Sequence, residues 1–158
     1  MTLSIGTTAP EDEAIIKTER IFDAPRARVF EAFANEDQIS QWWGPRGFSV
    51  RESKFDFRVG GSWTFTFHHD EHGDFPNVLT YTQIVEDEYI AFDHGSPQDP
   101  QMHISSVQFE DEEDKTKITM IMRFKSFEER EKVIATYSAV QGQKETFDRL
   151  EELLAKGK

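Results

Sequence analysis

The sequence predicts an α+β fold in which a curved antiparallel sheet of about seven strands wraps a long carboxy-terminal helix, with two short helices between the first and second strands. Three observations predict it. From Phe48 to Lys125 the hydrophobic period is two, broken at short polar or glycine-containing turns, as in consecutive half-buried strands. Between Pro25 and Trp43, and again after Ser126, apolar residues recur at the three-and-four spacing of helices. A meandering antiparallel sheet has one face to bury, and the final helix is the only long element left to cover it.

Residues 1–13 are polar, with Gly6 and Pro10, and read as a flexible leader to a single domain over 14–158. Ala14 to Phe22 alternates, Ile16, Thr18, Arg20 and Phe22 against Ile15, Lys17, Glu19 and Ile21, a strand whose buried face the pattern leaves open. Asp23-Ala24-Pro25 starts a helix, because proline in the first turn forfeits no hydrogen bond, and Val29, Ala32 and Phe33 share its face. Asn35 restarts a second helix with Ile39, Trp42 and Trp43 on its stripe, and Gly44-Pro45 ends it.

Val50–Val59 and Ser62–His69 then read as a hairpin turned tightly at Gly60-Gly61. Trp63, Phe65, Phe67 and His69 lie on one face, with Ser62, Thr64, Thr66 and His68 opposite. After a polar turn at Asp70–Asp74, Val78–Val85 sets Leu79, Tyr81, Gln83 and Val85 together. Tyr89–His94 groups Ile90, Phe92 and His94, and the loop Gly95–Gln101 contains Pro97 and Pro100, which a strand interior rejects. His103–Glu110 and Thr116–Lys125 follow, the latter aligning Ile118, Met120, Met122 and Phe124. Ser126 and Glu129 form a capping box. The helix after it is expected to break near Ser138 or Gly142. Its last part, Gln143–Ala155, puts Phe147, Leu150, Leu153 and Leu154 on one side, with Glu145, Asp148, Arg149 and Glu152 largely on the other.

At 158 residues the chain suits one domain with a sizeable core, and its 14 Phe make that core aromatic. A formal charge of −12 repels phosphate backbones and anionic lipid, so no nucleic acid and no membrane is expected as partner. The absence of cysteine excludes disulfides, thiol catalysis and thiolate metal sites. Met1 to Asp12 has neither a basic residue nor an apolar run, and no segment approaches the roughly 20 apolar residues of a membrane span, so a cytoplasmic protein is expected.

The run Trp42-Trp43-Gly44-Pro45-Arg46-Gly47-Phe48 concentrates aromatics and backbone breakers at the corner where helices give way to sheet. Together with Phe22-Asp23-Ala24-Pro25, Arg58-Val59-Gly60-Gly61-Ser62-Trp63 and a terminal Asp148-Arg149-Leu150, it resembles the activator of heat-shock protein 90 ATPase homologue family. That family belongs to the START-like superfamily, also called SRPBCC or polyketide cyclase-like. The resemblance covers about Ile15 to Ala155. It implies the helix-grip fold, also seen in the birch-pollen allergen, with a hydrophobic cavity between sheet and terminal helix. One departure is Gln143, where the family often carries a tryptophan just after the helix glycine, which implies a more open or more polar cavity end.

Parity directs Trp63, Phe65, Phe67, Tyr81, Phe92, Met122 and Phe124 toward the terminal helix, joined from the edges by Trp43, Phe48 and Tyr137. His94 and His103 share that parity near strand ends, as does His69, and are candidates for an acid, a base or an orienting hydrogen bond. Packing alone also explains an aromatic stripe, and hydrogen-bonded histidines without chemistry are the plainer reading of the three. His68 and His69 point to opposite faces of a strand, so the His68–Asp74 run reads as a solvated turn and no metal is expected. Glu110–Asp114 lacks calcium-loop spacing. Arg46, in the corner, either pins an anionic head or pairs with a carboxylate, and pairing is the plainer reading.

The leading expectation is a START-like module holding a small hydrophobic ligand, with no cofactor and no catalytic residue assigned, as a monomer or homodimer. The alternatives are a cyclase, dehydratase or hydrolase acting in the same cavity, and stimulation of a chaperone ATPase. Against the last stands the single domain expected here, since the eukaryotic activator carries an additional amino-terminal domain.

Overall fold

The computed structural model describes residues 6–9 and 13–156. In chain order the elements are β1 (Gly6–Thr8), β2 (Ile15–Phe22), α1 (Arg26–Ala34), α2 (Glu36–Trp42), β3 (Phe48–Phe55), β4 (Ser62–His69), β5 (Gly73–Val85), β6 (Tyr89–Gly95), β7 (His103–Glu112), β8 (Lys115–Phe124), α3 (Phe127–Tyr137) and α4 (Ala139–Lys156). The seven expected strands are all present, preceded by the three-residue edge strand β1. They form one antiparallel sheet in the order β1-β2-β8-β7-β6-β5-β4-β3. This is the helix-grip arrangement, an α+β fold.

The face the sequence left open on β2 is settled by packing. Ile16, Thr18, Arg20 and Phe22 are buried, as are Phe147, Leu150 and Leu154 of α4, and the Phe22 and Phe147 rings meet edge to face at 5.6 Å. Local signals set the helix ends as expected. The Asn35 side chain caps α2 by accepting from the Gln38 amide at 3.0 Å, and Ser126 Oγ caps α3 through the Glu129 amide at 3.1 Å. The helix breaks at Ser138, whose left-handed φ of 50° turns the chain between α3 and α4, while Gly142 continues as helix.

Four expectations need correction. The strand expected to reach Val59 stops at Phe55, because a register shift between Arg51 and Lys54, with Glu52 at φ 54°, bends it out of the ladder. Gly60-Gly61 is therefore not a two-residue hairpin turn but the end of a wider loop. There a Cβ on Gly61 would meet the Asp56 carbonyl oxygen at 2.3 Å. The strand expected from Val78 begins at Gly73 and includes Pro76, which its missing amide hydrogen allows because this stretch pairs with β4 only. Finally, Gln83 does not share the face of Leu79 and Tyr81, since the register with β6 shifts between Tyr81 and Gln83; Leu79 and Tyr81 are buried while Gln83 and Val85 are exposed.

Candidate functional site

The Trp42–Phe48 corner ends α2, and its shape follows from what fastens it. Trp42 and Trp43 are both buried but diverge. The indole of Trp42 donates to the Ala32 carbonyl at 3.0 Å and meets Phe33, whereas Trp43 turns to the sheet, 5.9 Å from Trp63 and 6.1 Å from Phe92. Gly44, at φ 102°, lies on the Phe67 ring, where a Cβ would come within 2.6 Å of it.

Arg149 fastens the corner to α4. Its guanidinium donates to the carbonyl oxygens of Gln41 at 2.9 Å, Gly44 at 2.8 Å, Pro45 at 3.2 Å and Phe48 at 3.3 Å. Its neighbours serve other layers: Asp148 pairs at 2.8 Å with the buried Arg20 of β2, and Leu150 is fully buried in the core. Asp148 and Arg149 are thus not part of a plain solvated face. Desolvation and the nearby charge of Arg46 lower the pKa of Arg149.

Of the aromatic positions expected to converge, Trp43, Trp63, Phe65, Tyr81 and Phe92 form one connected buried group. Phe48 and Phe67 stand at its outer end, with Phe48 against Phe67, His69 and Phe75. The side chain of Tyr137 lies outside the described residues. Beside Trp43, Tyr81 and Phe92 the interior holds a cavity of about 10 Å³, also lined by Phe33, Ile39, Phe57, Leu79 and Ile90. That is room for one water, against roughly 300–1,000 Å³ for a pocket holding a small organic molecule.

His94 and His103 come together. They are directly paired across β6 and β7, and the same row of the sheet runs from Leu79 through His94 and His103 to Phe124. The two imidazoles are 4.7 Å apart, with Phe124 5.2 Å from His103 and Trp43 6.5 Å from His94. His94 Nε2 is 2.8 Å from Asn77 Oδ1, and Asn77 Nδ2 donates to the Phe75 carbonyl at 2.9 Å. Desolvation pushes the His94 pKa well below its ordinary value, with a further push from His103, and burial brings His103 down to about 4. Both rings are neutral at pH 7.

The next row carries a residue the sequence reading missed. Ser105 faces the core between Phe92 and Met122 and is fully buried. Its Oγ, the Nε2 of His103 and the hydroxyl of Tyr81 have no hydrogen-bond partner among the described residues. The signal was available, since Ser105 shares the parity of His103 and Val107. Asn77 was not legible, because its contact with His94 needs the register of β5 on β6. Gln143, flagged as the departure in α4, donates to Met120 Sδ at 3.4 Å, and Met120 pairs with Val107, adjacent to the Ser105 row.

The family model described as Activator of Hsp90 ATPase homolog 1-like protein matches residues 23–155. The chain belongs to this family. Among solved structures, protein Ms6760 from Mycobacterium smegmatis superposes with a TM-score of 0.88 at 18% identity, covering 99% of this chain and 100% of that one. A protein from Arthrobacter aurescens gives 0.88 at 20% identity over 98% and 93% of the two chains. The AHSA1-like protein from Aeromonas hydrophila gives 0.67 at 16% over 89% and 93%. At these identities the likeness establishes the fold alone. A search of curated proteins found no match.

This family member also carries an open groove of about 410 Å³ outside the core, lined by Arg46, Gly47, Phe48, Ser49, Arg51, His68, Asp70 and Arg149. Its cations are mostly engaged. Arg46 is paired with Glu152, Arg149 with the corner carbonyls, and His68 with Asp74 at 2.6 Å and Asp70 at 3.1 Å, which raises the His68 pKa. His69, on the opposite face of β4, accepts the amides of Glu71 and His72 through Nδ1, a turn-capping role. No group of three or more potential metal ligands is found among the described residues, and no helix among them is long and apolar enough to cross a membrane.

Proposed function

We propose that the domain binds a small, largely apolar ligand between the sheet and the α3–α4 segment, with Trp43, Phe92, Met122 and Phe124 as walls and His94, His103 and Ser105 as its polar end. One observation carries this reading: Ser105 Oγ and His103 Nε2, two residues apart on the same face of β7, are buried without hydrogen-bond partners among the described residues. Each such atom costs about 1–3 kcal/mol if left unpaired, and folded proteins keep few of them without a use. The cavity of about 10 Å³ is lined by Trp43 and Phe92 but not by His94, His103 or Ser105, so a guest reaches these residues only if the covering segment shifts. The joint for that movement is Ser138, whose left-handed backbone separates α3 from α4.

Nile red titration of the purified protein, together with native mass spectrometry followed by denaturation, tests the reading. Saturable probe binding displaced by apolar small molecules, or release of a bound molecule, supports it. No saturable binding and no released molecule overturn it.

A second reading, acid–base chemistry in the same space, draws on the pair of neutral imidazoles 4.7 Å apart beside a buried hydroxyl. Under it, His94→Ala abolishes turnover of a bound compound while leaving its affinity nearly unchanged.

A further inference from the structure

The protons of the histidine cluster can be assigned from its partners. The Phe75 carbonyl only accepts, so the Asn77 atom facing it is the amide nitrogen. Asn77 therefore presents its oxygen to His94, 2.8 Å from Nε2. That oxygen also only accepts, so Nε2 carries the imidazole hydrogen. A neutral ring has one such hydrogen, which leaves His94 Nδ1 as a bare lone pair. Desolvation keeps the ring neutral.

The surroundings of that lone pair are equally one-sided. The core-facing positions of β6, β7 and β8 at this end are Phe92, Ser105, Val107, Met120, Met122 and Phe124 beside the two histidines. None of them is a cation, and the buried Arg20 of β2 and Arg130 of α3 are already held by Asp148 and Glu131. Of the basic residues at this end of β8, Arg123 is exposed, and Lys125 is an exposed residue 3.8 Å from Asp99. A carboxylate placed among these side chains gives up its water and finds no counter-charge, which is far costlier than burying a neutral group. An ether oxygen arrives with no hydrogen for Nδ1. A hydroxyl supplies one, and the hydroxyl of Ser105 is able to donate to it in turn. The rings of Trp43, Phe92 and Phe124, at 6.5 and 6.3 Å from His94 and 5.2 Å from His103, bound the place with flat surfaces.

We propose that the guest is a flat aromatic alcohol whose neutral hydroxyl donates to His94 Nδ1, and that the matching ether and carboxylate are discriminated against. The proposal rests on the ligand-binding reading above and specifies the ligand class of the same site.

The test uses the full chain at neutral pH with 2-naphthol, 2-methoxynaphthalene and 2-naphthoate as competitors of Nile red, and long-range proton–nitrogen NMR of the imidazoles. Naphthol is expected to bind about tenfold tighter than the ether, the size of one net hydrogen bond, with naphthoate weakest. The His94 Nδ1 resonance moves on adding naphthol and stays on adding the ether, and Asn77→Leu, which releases the tautomer, shrinks the naphthol advantage. Equal affinities for the three compounds, or tight naphthol binding with His94 Nδ1 unmoved, overturn the donor assignment and leave the binding site standing. Failure of all three compounds and of Nile red to bind removes the site itself.

Discussion

Arg149→Met isolates the clamp between α4 and the aromatic corner. Methionine keeps the aliphatic stem and removes the guanidinium, so the carbonyls of Gln41, Gly44, Pro45 and Phe48 lose their donor together. A hydrogen bond to a charged group contributes about 1.5–3 kcal/mol, but the corner is partly exposed and water replaces some of these bonds. A net loss of about 3 kcal/mol follows, a fall in Tm of about 10 °C for a chain of this size. Arg149→Lys recovers only part of it, because a single ammonium cannot span carbonyls that the planar fork reaches together. Urea unfolding followed by tryptophan fluorescence reads both the midpoint and the surroundings of Trp43, which the corner positions. Arg46→Met is the control: its guanidinium lies in the same corner, but its pairing with Glu152 is exposed, and no resolvable shift is expected. If Arg149→Met moves the midpoint no further than Arg46→Met, the clamp does not hold the corner and the reasoning fails.

Three further outcomes follow from the same structure. The folded protein keeps His103 neutral down to about pH 4, whereas the unfolded chain takes up the proton near 6.5. Stability therefore falls as pH drops from 6.5 to 4, by at most about 3 kcal/mol from this residue; the urea midpoint of His103→Phe should depend less on pH in that window, and coincident pH profiles would refute the assignment. Asp148→Asn leaves the buried Arg20 without its carboxylate and should cost about 3–5 kcal/mol in chemical denaturation, most of it recovered when Arg20→Met is added; a single variant as stable as the parent contradicts the pairing. Gly44→Ala forces a Cβ to within 2.6 Å of Phe67 at a positive φ and should lower stability by about 2 kcal/mol or more, with Phe67→Leu relieving only the contact.

What the sequence by itself determined was everything that repeats over two to four residues. Strand parity placed Trp63, Phe65, Tyr81 and Phe92 on one buried face, and the Asn35 and Ser126 caps placed helix starts, because each interaction involves neighbours along the chain. Even there a bulge intervened twice: at Arg51–Lys54 it ended the strand expected to reach Val59, and at Tyr81–Gln83 parity failed, since one extra residue reverses every later side chain. Only the tertiary structure decided that Arg149 reaches the carbonyls of a corner more than a hundred residues earlier. It also decided that Asn77 fixes the proton on His94, and that Ser105 and His103 carry buried polar atoms unmatched among the described residues. Those facts depend on cross-strand register and on how closely α4 descends on the sheet. Both arise from the packing of the whole core, to which no single stretch of sequence holds the key.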